Sequence, residues 1–91
     1  MSARRVLISG RVQGVGYRDW MCRQAASLGV SGWVRNRTDG SVEALIDGPE
    51  DAIGELLRAC RRGPRLASVS EITEELTEPQ QAPGFQILPT R

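Results

Sequence analysis

Strand-type and helix-type patterns follow one another along this chain as strand, helix, strand, strand, helix, strand, an order that predicts an α+β domain of split β-α-β type (βαββαβ). Three observations carry the prediction. An Asp39-Gly40 turn between two apolar runs marks a central hairpin. Two stretches repeat apolar residues at helical spacing: Tyr17, Met21, Ala25 and Leu28 in one, Ile53, Leu56, Leu57 and Cys60 in the other. Each helix has a single apolar stripe, so both are expected on one face of an antiparallel sheet, with the other face open to water. This is the ferredoxin-like arrangement, here with a short extra C-terminal strand.

In chain order, the first strand is expected from Arg4 to Val12, with Val6, Ile8 and Val12 as its apolar points. A glycine-containing loop leads to a helix from about Arg18 to Leu28, ended by Gly29. Trp20 lies off that helix's stripe and is expected partly exposed near the loop. The second strand covers Val30 to Asn36. The third, Ser41 to Asp47, sets Val42, Ala44 and Ile46 on a buried face against Glu43, Leu45 and Asp47 on a face toward water. Gly48-Pro49-Glu50-Asp51 opens the second helix, Arg58, Arg61 and Arg62 complement the dipole at its end, and Gly63-Pro64 stops it. A fourth strand over Ala67 to Leu76, a polar loop over Thr77 to Gly84 and a short strand over Phe85 to Leu88 complete the order.

The 91 residues suit one small domain, residues 1–91, with one core. No apolar run reaches membrane-spanning length and the N-terminus carries no secretory h-region, so a cytoplasmic protein without a membrane partner is expected. Twelve basic and eleven acidic side chains give a net charge of +1, which provides no drive toward nucleic acid. Every basic residue is arginine. The absence of lysine excludes a lysine base or Schiff-base nucleophile, and the absence of histidine removes the usual general base and the commonest zinc ligand. Cys22 and Cys60 fall in the two helices and form no CxxC pattern. Cys60 shares the apolar stripe and reads as a buried hydrophobe, and a reducing cytoplasm disfavours a bridge between the two.

The chemistry-bearing stretch is Gly10-Arg11-Val12-Gln13-Gly14-Val15-Gly16-Tyr17-Arg18, which joins a strand end to a helix start. Such a loop aims backbone N–H groups at one point, where the helix dipole adds positive character. Gly14 and Gly16 permit backbone angles and close approach that a Cβ would block. Arg18 adds a planar fork of donors, and a positive charge at a helix start calls for a bound anion or an acidic neighbour. The loop lacks the Gly-Lys-Ser/Thr ending of a nucleotide P-loop and the full dinucleotide fingerprint. It is a candidate phosphate or oxyanion cradle.

Ile8 to Arg18, with Gly10, Val12-Gln13-Gly14-Val15 and Arg18, resembles the first motif of the acylphosphatase family. Gly32-Trp33-Val34-Arg35-Asn36, followed by Gly40, Val42 and Gly48, resembles its second, and the order of elements agrees from about Arg4 to Leu88. The resemblance implies hydrolysis of the carboxyl–phosphate anhydride of small-molecule acyl phosphates, without metal or cofactor, by a monomer. It implies Arg18 as the phosphoryl ligand, the backbone of Gln13, Gly14, Val15, Gly16 and Tyr17 as its cradle, and Asn36 as the residue that orients the attacking water. Arg11, Tyr17 and Thr38 are candidates for shaping the pocket, and Asp19 reads as a helix-start acid. The chain departs from the family pattern at Tyr17, where phenylalanine is commoner, and at Leu88-Pro89, where basic or aromatic residues often stand.

Three alternatives sit beside this assignment. Similar domains form the N-terminal module of hydrogenase-maturation carbamoyltransferases. A ferredoxin-like RNA-binding module would need aromatic residues on its middle strands, and the third strand offers none. A non-enzymatic phosphate or acyl-phosphate sensor would keep Arg18 but turn nothing over.

Overall fold

The computed structural model describes residues 2–79 and 83–91. Its elements are β1 (Ser2–Arg11), α1 (Tyr17–Leu28), β2 (Ser31–Asn36), β3 (Val42–Gly48), α2 (Glu50–Arg62), β4 (Ser68–Thr77) and β5 (Phe85–Ile87). All expected elements are present, with ends displaced by a residue or two. Part of the polar loop expected over 77–84, namely 80–82, lies outside the described residues.

The strands form one five-stranded sheet in the order β4-β1-β3-β2-β5. The four longer strands pair antiparallel, and β5 joins the free edge of β2 in parallel, so the sheet as a whole is mixed. Helix–sheet packing builds the core. Val6 and Ile8 of β1, Val34 of β2, and Val42, Ala44 and Ile46 of β3 meet Tyr17, Met21 and Ala25 of α1 and Ile53, Leu56 and Cys60 of α2. Each large aliphatic side chain buried there contributes roughly 1.5–3 kcal/mol. Leu28, expected on the buried stripe of α1, is only partly buried at its end, and Trp20 packs edge-on to Tyr17 with ring centroids 5.2 Å apart.

The second sheet face departs from expectation. Glu43, Leu45 and Asp47, which the alternation of β3 places toward water, are all buried, with Glu43 only 2% exposed. Arginine side chains cover the middle of this face. Arg5 Nε donates to Glu43 Oε2 at 2.6 Å, while Arg35 Nε and Arg37 Nη1 donate to Oε1 at 2.7 and 3.1 Å. Arg35 also lies over the Trp33 ring, 4.7 Å from its centroid. Arginine stems exclude water from the strand beneath while their heads satisfy the carboxylate. Alternation of polar and apolar residues marks the two faces of β3 correctly, but it carries no information about what lies on top of them.

Topology fixes where a site can form. β1 and β2 both run antiparallel to β3, so they run parallel to each other and end at the same edge of the sheet. The loop into α1, the end of β2 at Asn36 and the start of β3 therefore meet there. β5, parallel to β2, brings Ile87 toward the same edge.

Candidate active site

The β1–α1 loop takes its shape from two left-handed glycines, Gly14 (φ 74°) and Gly16 (φ 79°). A Cβ at either would meet nothing within 4 Å, so the protein needs glycine here for backbone angle and not for packing room. Gly16 caps α1 without a side-chain hydrogen bond, and the Trp20 N–H donates back to the Gly16 carbonyl at 3.1 Å. The N–H groups of Tyr17, Arg18 and Asp19 precede that first helical bond and have no intrahelical acceptor. Free N–H groups at a helix start are, in general, favourable neighbours for an anion.

These groups border a cavity of about 160 Å³ lined by Val12, Gln13, Gly14, Gly16, Tyr17, Arg18, Asp19, Asn36 and Ile87. The structure thus brings Gln13, Gly14, Gly16, Tyr17, Arg18 and Asn36 together from two strand ends. Val15 is not among the lining residues and packs against the core. Arg11 and Thr38 are exposed and stand outside the lining, so of the three candidates for shaping the pocket only Tyr17 reaches it. Val12, Asp19 and Ile87 line it without having been anticipated. Asp19 sits beside Arg18 in the sequence, and a spacing argument could have included it. Ile87 arrives through the parallel pairing of β5 with β2, which no local pattern announces.

Arg18 has no carboxylate partner among the described residues, although a cation at this end of a helix opposes the dipole. Asn36 is also part of the lining, and its side-chain Oδ1 is buried without a hydrogen-bond partner among the described residues. A buried amide oxygen left in that condition costs roughly 1–3 kcal/mol unless something donates to it.

The surrounding contacts hold the walls still. The Tyr17 hydroxyl donates to the Cys60 carbonyl at 2.6 Å, tying the start of α1 to the end of α2. Burial pushes the Tyr17 phenol strongly upward, so the ring remains a neutral donor, and burial pushes the Cys60 thiol up to about 11. Both cysteines are free thiols. Close approach explains two motif glycines: a Cβ on Gly10 would lie 2.3 Å from the Ser68 carbonyl oxygen, and one on Gly32 would lie 1.8 Å from that of Leu45.

A ferredoxin-like sheet with a small cavity where strand ends meet a helix N-terminus defines a compact α+β domain of one structural class. Comparison with known proteins narrows the class. The family model for acylphosphatase matches residues 4–87. An acylphosphatase of Acidiphilium cryptum is 58% identical over 85 residues, covering 93% of each chain. The crystal structure of acylphosphatase from Bacillus subtilis superposes with a TM-score of 0.92 at 35% identity, covering 97% of this chain and 99% of that one. A full-length HypF crystal structure in a phosphate- and nucleotide-bound form also matches, with a TM-score of 0.91 at 27% identity, but this chain spans only 12% of it. The chain belongs to the acylphosphatase family and is an enzyme of that kind.

Proposed function

We propose that the protein hydrolyses the carboxyl–phosphate bond of small acyl phosphates, with Arg18 and the backbone of residues 13–17 binding the phosphoryl group and Asn36 orienting water. The observation that carries this assignment is that Arg18, which has no carboxylate partner among the described residues, and Asn36 line one cavity beside the N-terminus of α1. A phosphoryl group answers the charge of Arg18, and Asn36 belongs to the same lining that would hold the attacking water.

Water attacks phosphorus, the bond from phosphorus to the acyl oxygen breaks, and the carboxylate leaves with the bonding pair. The water's proton passes to a phosphoryl oxygen of the substrate, giving carboxylate and dihydrogen phosphate. Asn36 accepts a hydrogen bond from the water and takes no proton itself. A carboxylate is a good leaving group, so the reaction needs no strong acid. Positioning and charge stabilisation supply the acceleration, each preorganised donor contributing about 3–4 kcal/mol at the transition state. Histidine has no necessary part in this scheme, nor has a metal ion.

Phosphate release from benzoyl phosphate and acetyl phosphate, in the presence of EDTA, tests the assignment. Arg18→Ala and Asn36→Ala are each expected to lose about a hundredfold or more in kcat/KM. An EDTA-sensitive activity, or an Asn36→Ala variant with normal turnover, would remove the corresponding part of the scheme. Wild-type protein that binds phosphate but turns over neither substrate would instead act as a sensor. We also take the enzyme to act as a cytoplasmic monomer, which size-exclusion chromatography and cell fractionation would check.

A further inference from the structure

Gln13 does more than contribute a backbone N–H to the loop. Its side-chain Nε2 donates to the carbonyl of Arg37 at 2.8 Å and to that of Ser41 at 2.9 Å. Both partners are acceptors, so the amide nitrogen, with its two protons, must face them. These carbonyls already define the base of the β2–β3 hairpin: Ser41 O accepts from the Arg37 N–H at 2.9 Å, and Arg37 O from the Gly40 N–H at 3.1 Å. The turn beyond is itself rigid, because Asp39 Oδ1 accepts from both the N–H and the hydroxyl of Ser41, at 2.9 and 2.6 Å. Asn36 precedes Arg37 directly. One side chain of the phosphate loop therefore grips a stiff hairpin at the point next to the water-orienting residue.

Resting on the hydrolytic assignment above, we infer that Gln13 is a positioning residue: its side-chain amide sets the distance between the Arg18 wall and the Asn36 wall of the cavity. Loss of the amide protons frees the hairpin from the loop while leaving Arg18 and the α1 N-terminus in place. Chemistry then suffers more than anion binding. An in-line displacement tolerates little misplacement of the attacking water, whereas phosphate binding depends on one wall.

The test compares wild type, Gln13→Met and Gln13→Glu with benzoyl phosphate as substrate and inorganic phosphate as inhibitor. Gln13→Met keeps the side-chain length and loses both donors. Its kcat is expected to fall by about tenfold or more, with the phosphate inhibition constant within about threefold of wild type. Gln13→Glu presents a carboxylate to two carbonyl oxygens, and its protonated form restores one donor. Its kcat relative to wild type should therefore rise as pH falls, whereas the Gln13→Met ratio stays flat. A side chain that merely fills space would show no such divergence. A Gln13→Met kcat within twofold of wild type would overturn the inference, as would intact kcat with phosphate inhibition lost. Nuclear magnetic resonance on the unmodified protein gives an answer independent of variant folding. The Gln13 side-chain amide protons are expected to exchange with solvent much more slowly than those of exposed Gln86, and equal rates would overturn the inference. If wild type released no phosphate, the hydrolytic assignment would fail, while the exchange measurement would still judge the clamp.

Discussion

Tyr17 shows how a single hydroxyl can be put to use. Its ring lies 2% exposed in the core, where phenylalanine would pack equally well, but its oxygen reaches the Cys60 carbonyl at the end of α2. Tyr17→Phe leaves that carbonyl without its donor and is expected to destabilise the fold by about 1–2 kcal/mol, read from urea unfolding curves. Gly63 lies against the same ring. A Cβ there would sit 2.9 Å from Tyr17 Cε2 on a backbone at φ 68°, so Gly63→Ala should cost about 2 kcal/mol or more, lowering the thermal midpoint. Cys60 is fully buried with its thiol raised to about 11, and it should resist iodoacetamide at pH 8 until the protein is unfolded. Mass spectrometry of native and denatured samples would compare its labelling.

At the scale of elements, β2 and β3 depend on an approach so close that only glycine fits. Gly32 has φ 139°, and its would-be Cβ meets the Leu45 carbonyl oxygen, a backbone atom that cannot rotate away. Gly32→Ala should therefore break the local pairing, and soluble yield with far-ultraviolet circular dichroism would record the loss. Much of this layer was legible in the sequence. Helical spacing located α1 and α2, Asp39-Gly40 located the hairpin, and the glycines with Arg18 located the loop. Those signals are local, written within a turn or two of chain. What stayed hidden lies in contacts between distant residues: Gln13 with the hairpin base, Glu43 with Arg5, and β5 beside β2. Each joins segments that no periodicity relates, so only the folded topology reveals them. Asn36 is an instructive intermediate, since a residue before a turn has an ordinary local explanation and gained its assigned role only from the family pattern.

For the whole molecule, Glu43 stands at the centre of the sheet face opposite the helices. Burial alone would raise its carboxyl, but hydrogen bonds from Arg35, Arg37 and Arg5 outweigh that and hold it below its ordinary value of 4.5. A carboxyl depressed by folding stabilises the native state above its unfolded value, and that contribution disappears as pH falls through the folded value. Glu43→Gln is expected to cost about 3 kcal/mol at neutral pH, the low end for breaking a buried pair, because the arginines keep partial access to water. The gap between wild type and variant should stay constant above about pH 4.5 and narrow below it, and chemical denaturation across pH would trace it. A constant gap throughout would locate the acid sensitivity elsewhere.

The lining of the cavity has one more consequence, for the safety of the protein itself. Acyl phosphates are acylating agents and modify amines, thiols and imidazoles. Among the described residues, no lysine, histidine or cysteine lines the cavity, and the Tyr17 hydroxyl is already engaged with Cys60; the partly buried Cys22 thiol is not among the lining residues. The one carboxylate there, Asp19, could form only another anhydride, which water would reopen. Among the described residues, the cavity wall offers an activated acyl group no lasting acceptor. An enzyme that meets such a reagent at every turnover is thereby spared from marking its own active site, and peptide mass spectrometry after prolonged incubation with acetyl phosphate should find the cavity-lining residues unacetylated.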